Sequence, residues 1–316
     1  MNKRVYSISI NGRLGMNLHD LNNEKTEGNQ LTTRNVTITD EAGNLATVNA
    51  VSGDMFKHIQ AGHMYKVSSE DDALPLCTGC QVFDANRITI DDDFDEYTKD
   101  ATKEEIVNKM LEMCVMDDLE GILITNNNKN VGRDSVVEFG WVVAIPEEFN
   151  SDNLFHVKYS NREKTDGGKN EGQNIFYRPV NSGQYALVNN LEVARIGYND
   201  ISKKYALDDT EIKQRYKALL KSIMLTYYSP EGAMRNTQSP HMTSFKGVVT
   251  VSYSSVPAPT ISSLNKDYKK EIESITDNLN EIGEEIELKE FNSMSEFTLI
   301  MKELITDTIP YGVESE

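Results

Sequence analysis

Apolar and polar residues alternate with the two-residue period of a strand in several segments that turn-forming residues separate. The predicted strands are Val5–Ile10, Gly121–Thr125, Val136–Ile145, Tyr185–Ile196 and Val248–Tyr253. The first is expected to break at Asn11-Gly12. Two further runs, Asn35–Ile38 and Leu45–Val51, flank the turn signal Asp40–Asn44 and predict a β-hairpin.

Apolar residues at helical spacing follow several capping residues. Predicted helices begin at Ser52, with Met55, Phe56, Ile59 and Met64 inward, at Thr102, with Ile106, Val107, Met110, Leu111 and Cys114 inward, and at Asp208 or Thr210, running through Tyr228. Two more are expected at about 264–282 and 293–306. Because helices and strands intermix without strict alternation, the pattern favours an α+β fold over a doubly wound sheet.

The net charge of −18 is concentrated in two acidic blocks. Residues 70–120 carry 16 acids and 4 bases, and residues 266–316 carry 14 acids and 5 bases, so the remainder is slightly basic. Evenly spread negative charge would argue against a nucleic-acid partner, but the local field decides the binding of an anion. The acidic blocks are either solvated surface or segments that steer or exclude partners.

Composition also predicts the domain organisation. The turn-rich stretch 68–100 is expected to contribute little to a core, so residues of about 66–120 are interpreted as an acidic helical insertion. The insertion and an acidic helical tail at about 264–316 belong to a single domain spanning 1–316. No apolar run approaches the roughly 20 residues that cross a membrane, and no signal peptide follows Met1. A cytoplasmic protein without a membrane partner is therefore expected.

A segment rich in Gly, Asn and Lys, Lys158–Gln173, lies between apolar Leu154–Val157 and Ile175–Tyr177. This pattern predicts a long hairpin arm at about 155–180. The candidate RNA contacts on the arm are Arg162, Lys164, Lys169, Phe176 and Arg178. The cations either meet phosphates or lie in a solvated loop, and Phe176 and Tyr177 are either core anchors or a wedge between bases.

Polar side chains crowd the expected end of the first strand and the start of the helix after Ser52. The first group is Arg13, Asn17, His19 and Asn22, and the second is Ser52, Lys57 and His58. Cations and a helix N-terminus favour an anion, most simply a phosphate. The alternatives are an Asn-rich turn with local side-chain caps and an ordinary capped surface helix.

Several motifs of the chain resemble the DevR-type family of CRISPR Cascade backbone subunits, in the RAMP superfamily. They are Gly12-Arg13…Asn17-Leu-His19…Leu21-Asn22-Asn23…Gly28-Asn29, Asn49-Ala-Val-Ser52-Gly53-Asp-Met-Phe-Lys57-His58, Gly183-Gln-Tyr-Ala-Leu…Arg195-Ile-Gly-Tyr and Gly232-Ala-Met-Arg235-Asn…Ser239-Pro240-His241. The resemblance covers about 1–260. It adds Arg235, which lies in a Gly-Ala-Met-Arg turn, to the candidate phosphate contacts.

The resemblance implies an RRM/ferredoxin-like palm with a helical insertion and a long β-hairpin thumb. It also implies that several copies polymerise along one crRNA, together with other Cascade subunits, and present the guide bases for pairing with target DNA. No nuclease activity and no catalytic residues are implied. The stacking aromatics of RRM proteins are absent from Val5–Ile10, which fits a protein that grips phosphates and ribose and leaves the bases free.

Two other chemistries remain open. Cys77-Thr-Gly-Cys80 is half of a zinc knuckle, to which His63 or Cys114 would add a ligand, and the alternative is plain thiols. No other cofactor is expected. An enzyme of the RAMP type that cuts precursor crRNA, with His19 or His58 as general acid or base, is the main rival to a scaffold. A regulatory RNA- or DNA-binding protein is the third possibility.

Overall fold

The computed structural model describes residues 3–21, 23–28, 30–40, 42–159, 173–232 and 238–314. The strands are β1 (Lys3–Val5), β2 (Ser7–His19), β3 (Asn23–Glu27), β4 (Gln30–Thr33), β5 (Asn35–Thr39), β6 (Leu45–Val51), β7 (Ile122–Ile124), β8 (Val131–Arg133), β9 (Val137–Phe139), β10 (Val142–Tyr159), β11 (Gln173–Leu191), β12 (Tyr198–Asn199), β13 (Lys204–Tyr205), β14 (His241–Ser252), β15 (Ile286–Phe291) and β16 (Thr308–Pro310). The helices are α1 (Gly53–Ser68), α2 (Thr78–Gln81), α3 (Asp92–Thr98), α4 (Lys103–Met113), α5 (Val115–Glu120), α6 (Asp209–Tyr228), α7 (Tyr268–Glu281) and α8 (Met294–Asp307).

A large sheet runs through the molecule, with neighbouring strands in the order β15-β14-β2-β11-β10-β6-β5. All neighbours on this path are antiparallel. A large antiparallel sheet combined with helices agrees with the expected α+β class. None of the helices in the described part of the chain combines the length and apolar composition that crossing a bilayer requires.

Helices α1, α6 and α8 build the core on one side of the sheet. Aromatic rings join them to the strands: Tyr227 of α6 lies 5.1 Å from Phe245 of β14 and 5.6 Å from Phe297 of α8. Phe56 of α1 lies 6.2 Å from Tyr227 between ring centroids. The Gln60 amide of α1 donates to the hydroxyl of Ser222 in α6 at 2.8 Å, so the helix pair is fixed by polar as well as apolar contacts.

Strand β2 corrects the expectation that the first strand ends at Asn11-Gly12. It continues without interruption to His19, paired with β14 on one side and β11 on the other. Gly12 is no turn residue: a Cβ there would lie 2.7 Å from the carbonyl oxygen of Lys246. The glycine therefore permits close approach of β14, and the residues after it belong to a strand.

The opposite side of the sheet is partly covered by the segment after β14, here called the covering segment, which includes residues 260–272. Thr260 Oγ1 donates to Asn11 Oδ1 at 2.7 Å, and Ser263 Oγ donates to the carbonyl of Gly12 at 2.6 Å. Tyr268 and Ile272 of α7 pack on Val248 in a small second core. Polar residues of β2 on this side are thus satisfied by protein groups.

The acidic segment after α1 contains helices α2 to α5 and contributes more to the core than its composition suggests. Leu74, Ile88 and Phe94 are buried within the expected poor-core stretch 68–100. The predicted helix at Thr102 is confirmed, because Thr102 forms a capping box with Glu105 at the start of α4. Acidic composition marked the exposed face of this segment and did not reveal its buried residues.

The C-terminal segment is part of the fold and not only a helical tail. The two predicted helices are present as α7 and α8, but a strand missed by the sequence analysis, β15, lies between them and pairs with β14. Phe291 and Phe297 of this segment are fully buried. The acidic composition of this segment therefore did not predict that its apolar residues belong to the core.

The predicted hairpins form. Asp40 Oδ1 accepts from the amides of Ala42 and Asn44 at 2.9 and 2.8 Å in the turn between β5 and β6. Strands β10 and β11 pair from Phe149/Gly183 outward to Tyr159/Gln173 and form the arm, which projects beyond β2. Its apex, residues 160–172, lies outside the described residues.

A buried ion cluster connects the helical insertion to the rest of the molecule. The carboxylate of Asp118 in α5 accepts from Arg133 Nη2 at 2.8 Å and from Arg215 Nη1 at 2.9 Å. It also accepts from the amide of Gly197 at 3.0 Å. Both arginine side chains are 1% exposed and Asp118 is fully buried. Arg133 also donates to Asp200 Oδ2 at 2.9 Å. The buried cations of β8 and α6 therefore share the Asp118 carboxylate, and Arg133 has a second carboxylate partner.

His19 ends β2 in the interior. It is 1% exposed, its ring lies 5.0 Å from that of Tyr185, and neither ring nitrogen has a hydrogen-bond partner in the described structure. Burial lowers the pKa of His19 to about 4. The imidazole is therefore neutral at pH 7 and cannot reach a ligand on the surface without rearrangement.

We expect Asp118→Asn to lower the free energy of unfolding by about 3 kcal/mol, because it leaves the buried Arg215 without its carboxylate and Arg133 with Asp200 alone. Urea denaturation followed by circular dichroism measures the change. Glu112→Gln, which neutralises an exposed acid on α4, is the matched control and should stay within about 0.5 kcal/mol of the parent. Equal stability of Asp118→Asn and the control would contradict the role of the cluster.

His19 should make the protein less stable in acid. The unfolded chain takes up a proton near the ordinary pKa of 6.5, whereas the folded protein does so only near 4. Its contribution is therefore complete above about pH 6.5 and is lost as the pH falls toward 4. Between pH 7 and pH 5 the parent should lose about 2 kcal/mol more stability than His19→Phe. The exposed-site control His58→Gln should follow the parent, and parallel curves for all three proteins would refute the assignment.

Candidate nucleic-acid interface

A cationic strip lies on the side of the sheet that faces away from α1 and α6. Ile10 and Leu14 of β2 point into the core, and Arg13 lies an odd number of positions from both. Its side chain is therefore on the side of the strand away from that core. The register places Lys246 of β14 directly across from it. Lys246 is exposed, so the two cations form an open, positively charged spot beside the covered part of this face.

Contacts with the covering segment fix the position of Arg13. Its Nε and Nη2 donate to the carbonyl oxygen of Ser263 at 3.0 and 2.9 Å. Its Nη1 lies 3.9 Å from Glu148 Oε1, and the side chain is 25% exposed. The guanidinium is therefore held by the protein with one edge turned to solvent, an arrangement suited to a phosphate oxygen.

Asn17 continues the strip toward the arm. It lies four residues after Arg13 on the same side of β2 and is exposed. Between them, a Cβ on Gly15 would lie 2.5 Å from Ser244 Oγ, so a side chain of β14 occupies the space beside this glycine. Leu18, at φ 53°, then forms the irregularity where β2 leaves the regular pairing with β11.

The arm carries planar groups on the side that continues from this strip. Alternation along β11 places Phe176 and Arg178 on the same side of the strand as Ala186, the cross-strand partner of Arg13. Phe176 stacks on His156 with ring centroids 5.5 Å apart and planes at 7°. The Arg178 guanidinium lies 5.0 Å from the Phe176 ring. The three planes form a platform of the kind on which nucleic-acid bases stack.

The other side of the arm is apolar and open. Phe155 is 57% exposed and Tyr177 is 41% exposed, with their rings 5.7 Å apart. Ile175 lies beside them and is also exposed. Tyr177 is thus no core anchor, while Phe176 is half-buried. The two sides of the arm differ in chemistry: stacked planar groups on one and aliphatic and aromatic surface on the other.

The second predicted group, at the start of α1, lies on the helix-bearing side of the sheet and is not brought together with Arg13. Ser52 is buried and caps α1 by accepting from the amide of Met55 at 3.2 Å. His58 is exposed, with its ring 5.6 Å from that of Phe83. The motif thus contains one helix cap and one surface histidine, and no single anion site.

Lys57 faces a pocket of about 280 Å³ between α1 and the helical insertion. Arg87 and the buried Glu120 also line it. Burial lowers the pKa of Lys57, and burial raises the pKa of Glu120 to about 7. Three acids line the pocket against two bases, Lys57 and Arg87, so it is less suited to a polyanion than the strip at Arg13 and Lys246.

Several predicted contacts cannot be placed. Asn22, Arg162, Lys164, Lys169 and Arg235 lie outside the described residues. His19 is placed, but it is buried beside Tyr185. Of the predicted RNA contacts with described side chains, the strip and the platform contain Arg13, Asn17, Phe176 and Arg178. Lys246 and His156 were missed, since an exposed lysine and a strand histidine give no signal in one sequence.

A polar network beneath the arm explains other residues of the motifs. Asn49 Oδ1 accepts from the Tyr185 hydroxyl at 2.8 Å, and Asn49 Nδ2 donates to Thr33 Oγ1 at 3.1 Å. Asn181 Nδ2 donates to the same Thr33 oxygen at 3.3 Å, and Asn181 Oδ1 accepts from Ser151 at 2.7 Å. Two buried asparagines thus connect the base of the arm to β4 and β6. An asparagine within an apolar strand is the signal that indicates such a role.

Comparison with known proteins places the chain in a family. The family model described as CRISPR-associated negative auto-regulator DevR/Csa2 matches residues 10–273. A curated relative from Saccharolobus solfataricus (strain ATCC 35092 / DSM 1617 / JCM 11322 / P2), CRISPR-associated protein Cas7/Csa2 1, is 29% identical over 232 residues, which cover 69% of this chain and 70% of the relative.

Solved structures with a similar chain include two described as CRISPR RNA-guided surveillance complexes. One, in a pre-nicking state, has a TM-score of 0.47 at 11% identity and covers 89% of this chain and 90% of that chain. The other has a TM-score of 0.45 at 12% identity and covers 89% and 87%. Csc2 of Thermofilum pendens has a TM-score of 0.38 at 12% identity and covers 96% and 85%.

The family model spans most of the chain, including the motifs around Arg13, Ser52 and Gly183. The resemblance noted in the sequence is therefore confirmed, and this chain belongs to the CRISPR-associated DevR/Csa2 family.

Proposed function

We propose that this chain is a crRNA-binding scaffold subunit that polymerises along the guide RNA of a CRISPR surveillance complex. The observation that carries the proposal is the continuity of the cationic strip at Arg13 and Lys246 with the Phe176 platform along one side of β11. Cations hold a phosphate backbone and planar groups hold a base, so the track combines the two elements of single-strand binding.

The central part of the sheet supports an RRM/ferredoxin-like palm. Strands β14, β2, β11 and β10 are neighbours in that order. If β2, β10, β11 and β14 are counted as strands 1 to 4, and α1 and α6 as the two crossover helices, the spatial order is the 4-1-3-2 order of a βαββαβ fold. The helical insertion then lies between the first helix and the second strand, and the arm, the proposed thumb, joins the second and third strands.

The side of the sheet away from the helices is partly covered by the segment after β14, which favours binding that does not depend on base sequence. RRM proteins stack bases on aromatic side chains of the central strands. Here the corresponding positions of β2 include Asn11 and Arg13, which hydrogen-bond to Thr260 and Ser263 of the covering segment. Guide sequences vary, so a scaffold must hold phosphate and ribose and leave the base edges free for target DNA.

The partners follow from this role: crRNA, further copies of the chain, other Cascade subunits and target DNA paired to the guide, all in the cytoplasm. The exposed side of the arm at Phe155, Tyr177 and Ile175 supports a contact with a neighbouring subunit. The distribution of charge supports RNA binding outside the two acidic segments, because those segments repel RNA and the rest of the molecule is near neutral.

A non-catalytic role is part of the proposal. Of the two histidines considered for RNA cleavage, His19 is buried and neutral, which leaves His58 without a second acid or base from that pair. Incubation of the pure protein with precursor crRNA in the presence and absence of divalent metal tests it. Specific cleavage that His58→Ala abolishes would establish the endoribonuclease alternative and reject the scaffold as the whole function.

We expect Lys246→Ala to weaken RNA binding equally for guides of unrelated sequence and to reduce the slope of log affinity against log salt by roughly one unit. Fluorescence anisotropy over a salt series measures both quantities. Lys217→Ala, which removes an exposed lysine from α6 on the other side of the sheet, is the matched control. Arg13→Ala is a weaker test, since it also breaks the contact with Ser263. A sequence-dependent loss at Lys246 would contradict a backbone grip.

The two sides of the arm should separate RNA binding from polymerisation. Phe176→Ala removes the stacking platform and should weaken binding of a short RNA by about 1–3 kcal/mol. Phe155→Ala, on the opposite side, should spare short-RNA binding and impair the formation of regular multimers on guide-length RNA. Anisotropy and negative-stain electron microscopy provide the two readouts. If the substitutions have the same effect in both assays, the division of roles is wrong.

A further inference from the structure

All three cysteines of the chain meet in one buried place, although Cys114 is far from the Cys77-Cys80 pair in sequence. Asp117 joins them there. One ligand atom from each residue lies within 4.8 Å of every other, and all four residues are buried. Cys77 Sγ is 3.5 Å from Asp117 Oδ2, while Oδ1 of the same carboxylate has no hydrogen-bond partner among the described residues.

The fold builds this cluster from two segments of the helical insertion. Cys77 and Cys80 lie at the start of the short helix α2, and Cys114 and Asp117 lie at the start of α5. The amide of Val115 donates to the carbonyl of Pro75 at 2.9 Å, which holds the segments side by side. A Cβ on Gly79 would lie 2.2 Å from the carbonyl oxygen of Arg87, so the close packing of α2 against the backbone at Arg87 depends on glycine.

We propose that Cys77, Cys80, Cys114 and Asp117 bind one structural Zn²⁺ ion. Three sulfurs and one carboxylate oxygen are a ligand set that zinc accepts in a tetrahedral site. Two thiolates on one tetrahedral zinc are about 3.8 Å apart, given Zn–S bonds of about 2.3 Å. The ligand atoms of the cluster are close enough to share a single ion, and the soft sulfurs exclude Mg²⁺ and Ca²⁺ as resident metals.

The surroundings suit a negatively charged zinc centre. Three thiolates, one carboxylate and Zn²⁺ carry a net charge of −2, and Arg87 Nη1 lies 3.8 Å from Asp117 Oδ1. The same Nη1 donates to the carbonyl of Gly121 at 2.7 Å, so the guanidinium is held in place. A cation at this distance offsets part of the negative charge of the site. His63, considered earlier as a ligand, instead contacts the carbonyl of Ser229 at 2.8 Å.

The metal would stabilise an acidic and turn-rich part of the chain. It would tie the acidic stretch around α2 to helix α5. Helix α5 carries Asp118, and its Glu120 lines the Lys57 pocket together with Arg87. Four protein ligands leave no open position for a reactant, so the site is structural and not catalytic. This inference does not depend on RNA binding.

Elemental analysis of the full-length protein, purified in reducing buffer and dialysed against a weak chelator, should give about one zinc per chain. Cys80→Ser and Cys114→Ser should each lose most of it. Glu120→Gln, which neutralises a buried carboxylate on the same helix outside the cluster, is the control and should retain it. Asp117→Cys should keep the metal and resist chelation longer than the parent, a result that a merely destabilising change would not give.

Metal removal provides a second measurement that does not need a folded variant. A strong chelator should lower the melting temperature of the parent by about 5 °C or more, and added Zn²⁺ should restore it. Titration of the stripped protein with Co²⁺ should produce thiolate-to-metal charge-transfer absorption that saturates at one equivalent. Substoichiometric zinc without this absorption, or a Cys77–Cys80 disulfide in mass spectra of unreduced protein, would overturn the proposal.

Discussion

Arg133 and Arg215 share one fully buried carboxylate, that of Asp118, and this ion cluster governs how the separate parts of the molecule are arranged. A guanidinium cannot release its proton in a protein, so its burial requires a counter-charge at a fixed place. Two nitrogens of Arg215, Nε and Nη2, have no hydrogen-bond partner in the described structure, which makes the remaining contact more important. The helical insertion, β8 and α6 must therefore meet at Asp118, and the core packs around that arrangement.

The same requirement for satisfied polar groups shapes the functional face. β2 carries polar residues on the side away from the helices, and a sheet face of this kind must be solvated, covered or used. The covering segment satisfies Asn11 and Gly12 and leaves Lys246 and one edge of Arg13 exposed. The cationic strip therefore consists of the polar side chains that the covering segment leaves exposed. It leads along β11 to the arm, where Phe176 and Arg178 add planar surface.

Local signals were sufficient for much of the fold and for little of the site. Capping residues and periodicity predicted α4, α6 and the arm, since each depends on nearby residues. The length of β2 and the existence of β15 were not predicted, because both depend on pairing with β14, which is distant in sequence. The sequence left Cys114 and His63 open as partners of the Cys77-Cys80 pair and did not indicate Asp117, because tertiary packing alone brings α5 beside α2.

Several residues of the family motifs have a structural role in the described part of this chain. Ser52 caps α1, Asn49 connects Tyr185 to Thr33, and Gly183 leaves room for Glu148 and Phe149 of β10. Small and polar residues at such positions are demanded by close backbone approach or buried hydrogen bonds, whatever the ligand. Phosphate contacts, in contrast, need only a cation at the right place, so a plain lysine such as Lys246 is sufficient. Motifs can therefore identify the family, whereas an exposed cation such as Lys246 is located by the register of the sheet and not by a motif.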